Sequence, residues 1–259
     1  MLIILILYTM SIEFIILSWY TLSVGVICYQ ESKVGWPQVP YRKLIPFLLY
    51  HMVISTIQLL YVIPLWFIMS RVTHRRFVWN QVAWNFGILL PIWWGPIKWK
   101  GLKYVVPSRQ AIWVGNHQSV LDTAIMTLLP CQTDMVGTSK DSIKYIPGGG
   151  LMALMCGTIF VEKGSPTIRR DFRRECMEAL SNGLSLNIFP QGTRRHISAG
   201  VLPLKRGAFE IAHEMNVHLQ PYTIVYNIGK DIVVTIHPPV EVVGREIDDT
   251  LNDVYRIFS

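Results

Sequence analysis

The chain has 259 residues, of which 51% are hydrophobic and 16% charged, with a net charge of +7. A soluble domain carries about 25% charged residues, so the composition argues against a wholly water-exposed chain. The basic balance suits an anionic membrane surface or an anionic substrate, and no basic run interleaved with aromatics marks a nucleic-acid platform, so no nucleic-acid partner is expected.

The charge deficit lies in the first third, where only Glu13, Glu31, Lys33, Arg42, Lys43, Arg71, Arg75 and Arg76 are charged within residues 1–76. Residues 1–29 have Glu13 as their only charge and are long enough to span a bilayer. They lack a basic leader and a small-residue cleavage site, so a cleaved signal peptide is not expected. A second uncharged run covers 44–70, with Pro46 near its start and Pro64 near its end; its His51 and Gln58 are expected to face the first helix. Arg71, Arg75 and Arg76 follow as a basic cuff suited to anionic headgroups. Residues 77–97 hold Trp79, Trp84, Trp93 and Trp94 and read as an interfacial segment. Residues 1–96 are therefore expected to be a membrane anchor of two long helices plus this interfacial stretch, and 97–259 a globular domain. The four cysteines, Cys28, Cys131, Cys156 and Cys176, show no metal-type spacing and read as small buried thiols.

From Lys98 onward short apolar runs alternate with helical patterns. Strands are expected over 111–116, 133–138, 157–163, 185–190, 220–226 and 231–239. A helix follows Ser165, with Pro166 at its first position and Ile168, Phe172, Cys176 and Leu180 on one face; Asn182-Gly183 ends it. Another runs from Arg206 to Met215. Strands alternating with helices make an α/β domain, a mixed sheet flanked by helices.

Four stretches carry candidate chemistry. In "VGNHQSVLD" a strand stops near Asn116 and a helix begins near Ser119. Ser119 and Asp122 fit a capping box, which leaves His117 unexplained. Positions five apart on one helix lie about 140° apart, so His117 meets Asp122 only by folding back from the strand end. An aspartate bonded to one ring nitrogen then fixes the tautomer and raises the basicity of the other. In "NIFPQGTRR" a strand ends at Pro190, and a glycine turn presents Thr193, Arg194 and Arg195, either as an anion clamp or as solvated surface cations. "GTIFVEKG" ends a strand in Lys163, a point charge suited to phosphate, and "SKDSIKYIPGGG" places Lys140 and Lys144 before a glycine run.

The order of these stretches resembles the 1-acylglycerol-3-phosphate (lysophosphatidic acid) acyltransferases of the glycerolipid acyltransferase superfamily, over roughly residues 97–240. The resemblance implies transfer of a fatty acyl group from acyl-CoA, or from acyl carrier protein, to the sn-2 hydroxyl of lysophosphatidic acid, giving phosphatidic acid. It implies His117 as general base and Asp122 as its orienter, with Lys140, Lys163, Gly192, Thr193 and Arg194 at the substrate phosphate. Asn116, Ser119, Pro190, Gln191 and Pro221 would support these motifs. No metal and no cofactor beyond the acyl donor is expected. The implied setting is an integral or monotopic membrane protein among membrane lipids, in the endoplasmic reticulum if eukaryotic or the inner membrane if bacterial. Lys205 and Arg206, in a segment that also resembles the family, would serve the CoA phosphates or be solvated.

Three positions depart from the family pattern: Gln191 replaces the usual glutamate, Lys163 a frequent arginine, and His218 a common proline. Two other readings stay open: an acyltransferase or transacylase for another lysophospholipid, and a catalytically weakened lipid-binding membrane protein, for which Gln191 is the only hint. No longer C-terminal regulatory region is expected.

Overall fold

The computed structural model describes residues 2–34, 41–105, 109–129, 134–161, 166–227 and 230–259, with 2–14 and 166–169 described by backbone only. Lys163, Ser165 and Cys131 lie outside the described residues, as do the side chains of Glu13 and Ile168.

Three long helices come first: α1 (Leu2–Ser32), α2 (Tyr41–Trp66) and α3 (Arg71–Trp94). The remainder alternates strand and helix. β1 (Ile97–Lys100), β2 (Ile112–Gly115), α4 (Leu121–Met126), β3 (Met135–Lys140), α5 (Gly149–Met155) and β4 (Ile159–Val161) lead into α6 (Pro166–Ser181). Then come β5 (Ser185–Ile188), α7 (Gly207–Glu214), β6 (Leu219–Asn227), β7 (Asp231–Ile236) and α8 (Ile247–Phe258). Among the described residues seven strands form one sheet in the order β1-β7-β6-β2-β5-β3-β4. All pairings are parallel except β6 with β7. The expected mixed sheet flanked by helices is what the chain forms. β1 and α8 went unread in the sequence. β1, Ile-Lys-Trp-Lys, carries two lysines and, among the described residues, has only one neighbouring strand, β7.

Strand alternation builds two apolar layers. Ile112 and Val114 of β2 join Leu186, Phe209, Ile211 and Val254 on the side of α6, α7 and α8. Ala111 and Trp113, one residue out of phase, join Tyr222, Ile224 and Ile232 on the opposite side. Phe47 and Met52 of α2, Phe86 and Leu90 of α3, and Leu121 and Ile125 of α4 close that second layer. The N-terminal helices thus share one core with the sheet.

α2 is, among the described residues, a helix long and apolar enough to cross a membrane, with mean hydropathy 1.7 and only 28% of its most apolar window buried. Pro46 and Pro64 lie within it. The expectation that His51 and Gln58 face α1 is corrected. Gln58 exchanges two hydrogen bonds with Asn85 of α3, at 3.2 and 2.7 Å, because a buried amide needs a partner that both donates and accepts. His51 stacks on Phe86 of α3, ring centroids 4.4 Å apart. The tryptophan-rich stretch lies in α3 from residue 77 to its end; it buries Trp79 and Trp94 and leaves Trp84 exposed. Arg76 of the basic cuff donates two bonds to Asp134, at 2.9 and 2.8 Å, with Arg75 at 3.5 Å from the same carboxylate.

Candidate active site

β2 and β5 are parallel neighbours. The chain leaving β2 enters α4, packed on one face of the sheet, whereas the chain leaving β5 leads to α7 on the other. Connections that diverge to opposite faces open a crevice at the carboxyl ends of the strands, where α/β sheets bind ligands. The two strongest motifs, 116–122 and 190–195, are the segments that follow these two strand ends.

Asn116 caps β2 by extending its pairing to β6: its amide donates to the Ile224 carbonyl at 3.0 Å and accepts the Ile224 N–H at 2.7 Å. The preceding Gly115 lets the Tyr222 ring cross the strand, since a Cβ there would sit 2.2 Å from that ring. The backbone then turns, and His117 folds back over the start of α4. Its Nδ1 lies 2.8 Å from Asp122 Oδ2. An ionised carboxylate only accepts, so Nδ1 carries the proton and Nε2 holds the lone pair. Nε2 has no partner among the described residues. The His117 ring stacks on Phe189 of the second motif, centroids 4.0 Å apart and planes 13° apart.

Asp122 is wholly buried. Besides His117, its Oδ2 accepts the N–H groups of Gln118 at 2.6 Å and Ser119 at 2.9 Å. Its Oδ1 accepts the phenol of Tyr226, from β6, at 2.5 Å. Ser119 Oγ accepts the Leu121 N–H at 3.2 Å. The carboxylate reaching back to the Ser119 N–H is half of the expected capping box; the hydroxyl bonds one residue earlier than that motif prescribes. The cap and the dyad are therefore one arrangement. Burial is the main cause that lowers the His117 pKa below the ordinary histidine value; the bond and charge of Asp122 oppose it, and the charges of Arg194 and Lys140 assist it. Burial, then the Asp122 charge, pushes the Tyr226 phenol well above the usual tyrosine range, which keeps it a donor.

The 190–195 turn holds His117 by both main-chain groups. Gln191 Oε1 accepts the His117 N–H at 2.8 Å, and the Arg195 N–H donates to the His117 carbonyl at 2.7 Å. Gln191 is buried, and the bond needs only a side-chain oxygen, which glutamine has. Pro190 accepts the Lys205 N–H at 2.8 Å. Gly192 has φ +65°, and a Cβ there would lie 2.5 Å from Lys205 Nζ, so glycine lets this ammonium pack over the turn. Thr193 is exposed. Arg194 is only 12% exposed and pairs with Glu31 of α1. Lys140, at the end of β3, is exposed, and its charge reaches His117. Pro221 is buried opposite Val114 in the β2–β6 register. His218 is buried, its carbonyl accepting the Ile112 N–H at 3.1 Å. Arg206 pairs with Asp248, which places it in a surface ion pair.

The structure thus brings together His117, Asp122, Asn116, Ser119, Gln191 and Arg194. Glu31, Phe189 and Tyr226 also meet there and were not singled out from the sequence. Glu31 had one readable signal, an acid at the end of an apolar helix. Tyr226 and Phe189 read only as strand residues.

The family described as Acyltransferase matches residues 96–225, half of the chain. A chloroplast 1-acyl-sn-glycerol-3-phosphate acyltransferase of Arabidopsis thaliana is 36% identical over 156 residues, 55% of this chain and 42% of its own. The enzyme of that name from Haemophilus influenzae is 31% identical over 148 residues, 54% of this chain and 58% of its own. The matched stretch thus spans about half the length of these curated relatives. The crystal structure of the 1-acyl-sn-glycerophosphate acyltransferase from Thermotoga maritima superposes with a TM-score of 0.65 at 22% identity, covering 84% of this chain and 94% of that one, so the fold is shared. The resemblance read from the order of the motifs is borne out: this chain belongs to the acyltransferase family.

Proposed function

We propose that the protein is a membrane-bound enzyme that transfers a fatty acyl group from acyl-CoA to the sn-2 hydroxyl of 1-acyl-sn-glycerol-3-phosphate, forming phosphatidic acid. The observation that carries this reading is the His117 imidazole, held by Asp122 at 2.8 Å with Nε2 left unpartnered among the described residues. A neutral imidazole with its proton on Nδ1 is a general base. Nε2 takes the proton of the acceptor hydroxyl as its oxygen attacks the thioester carbonyl carbon. The C–S bond breaks, and the imidazolium returns the proton to the departing thiolate. Asp122 stabilises the imidazolium while it exists. Gly192, Thr193 and Arg194 in the turn and Lys140 at the end of β3 are the candidates for the phosphate, and Lys163 is proposed with them from its motif. α2, with its apolar exposed face, supports the membrane setting.

The test is purified protein in liposomes, given labelled oleoyl-CoA or oleoyl acyl carrier protein and a panel of lysophospholipids. Acyl transfer to lysophosphatidic acid, abolished in His117→Ala, is expected. Transfer to no acceptor from either donor would sink the proposal, and a preference for another headgroup would redirect it.

A further inference from the structure

One carboxylate in the site belongs to neither motif. Glu31 lies in the last turn of α1 and is 2% exposed. Its Oε2 accepts the Ser119 hydroxyl at 3.2 Å, and its Oε1 accepts the Val120 N–H at 3.1 Å. The same Oε1 pairs with Nη1 of Arg194, whose Nη2 bonds to the neighbouring Gln30 Oε1. Three residues on, the Val34 carbonyl accepts the His196 N–H at 2.8 Å. The end of α1 therefore ties the His117 loop to the 190–195 turn.

A guanidinium has five N–H donors. Glu31 and Gln30 engage Nη1 and Nη2, which fixes the plane of the group, while Nε–H has no partner among the described residues. Glu31 also offsets the Arg194 charge. A carboxylate placed there to compete for the guanidinium would weaken phosphate binding; one placed there to aim it would strengthen binding by holding the donors ready. Its bonds to Ser119 and Val120 favour aiming, because they fix the distance between Arg194 and the loop that carries His117.

We propose that Glu31 is a positioning residue for phosphate recognition, acting through Arg194, so that the first helix helps set substrate affinity. This rests on the proposed lysophosphatidic acid acceptor. The test uses the full chain in detergent micelles and measures, by calorimetry, binding of 1-oleoyl lysophosphatidate and of mono-oleoylglycerol, which lacks the phosphate. Glu31→Gln is expected to weaken lysophosphatidate binding about tenfold and mono-oleoylglycerol less than about twofold. In turnover, KM for lysophosphatidate should rise while kcat holds. Because the residue acts through Arg194, the double variant Glu31→Gln/Arg194→Gln should bind no more weakly than Arg194→Gln alone. Tighter or unchanged lysophosphatidate binding, an equal loss for both ligands, or additive losses in the double variant would overturn the assignment. If Glu31→Gln does not fold, Glu31→Asp keeps the charge and shortens the reach, and the same two-ligand comparison decides. A wild type that binds lysophosphatidate without acylating it refutes the reaction and leaves the Glu31 test intact. A wild type that acylates while Glu31→Gln matches it removes only the role of Glu31.

Discussion

The 116–122 loop and the 190–195 turn sit side by side at adjacent strand ends, yet they are held in different ways. Within the loop the Asp122 carboxylate closes mostly on its own neighbours, while the other polar groups of the loop reach Ile224, Gln191, Arg195 and Glu31. Asp122 takes bonds from residues three, four and five positions earlier, and one distant group, the Tyr226 phenol, completes it. The turn is held largely from afar. Gln191 reaches His117 seventy-four positions away, and Arg194 reaches Glu31 at a separation of 163. A carboxylate–imidazole pair closed by local groups keeps its geometry when a neighbour shifts, which suits the proposed general base. A turn held by distant groups takes its shape from the whole fold, so it suits recognition of a substrate that bridges elements.

This contrast predicts the largest losses inside the loop. His117→Ala removes the base, and Asp122→Asn leaves the ring in the wrong tautomer; each should lower kcat by roughly 10³- to 10⁴-fold with little change in KM, measured as labelled phosphatidic acid formed. A loss confined to KM would show that the dyad binds substrate and does not transfer protons. Next comes the strut between the two units. Gln191→Leu leaves the half-buried His117 N–H without its acceptor, costing about 1–3 kcal/mol, or roughly 5- to 150-fold in kcat. Gln191→Glu keeps an oxygen at the same place and should stay within about threefold of the wild type. A large gain in Gln191→Glu would mean that a carboxylate charge, and not merely an acceptor, is missing here. Tyr226→Phe removes one of four bonds to Asp122 and should cost about tenfold in kcat, with KM unmoved.

The same contrast explains what the sequence disclosed. His117 and Asp122 were legible because their separation, five positions across a strand-to-helix junction, is itself the geometric constraint. The strand spans were legible because strand β2, with Ile112 and Val114 on one face and Trp113 on the other, shows its period in a few letters. The role of Gln191 was not legible: a departure from a family pattern says that a charge is gone, but not that the bond in question is a main-chain N–H to a side-chain oxygen. Tyr226 was hidden for the same reason, since a strand residue declares its face but not which carboxylate waits across the sheet. The direction of Gln58 was misjudged because an uncharged helix offers several faces, and only the position of Asn85 selects one. β1 was missed because an edge strand with alternating lysines looks like surface.

The smallest effect separates charge from contact. Lys140 lies at the end of β3, and its charge is one of two that lower the His117 pKa, after burial. Lys140→Gln removes that influence, so the pKa of His117 rises towards the ordinary histidine value. In the proposed reaction the neutral imidazole is the base, so a higher pKa leaves less of it at acidic pH. The acid limb of the kcat/KM profile, which reports the free enzyme, should therefore move to higher pH, with slightly acidic activity falling more than alkaline activity. If Lys140 also holds the substrate phosphate, kcat/KM falls by a constant factor at every pH on top of that shift. A lowered plateau with an unmoved limb would assign Lys140 to the phosphate alone, its charge screened from the imidazole by water. A moved limb with an unchanged plateau would make it an electrostatic neighbour of the loop and leave phosphate recognition to the turn.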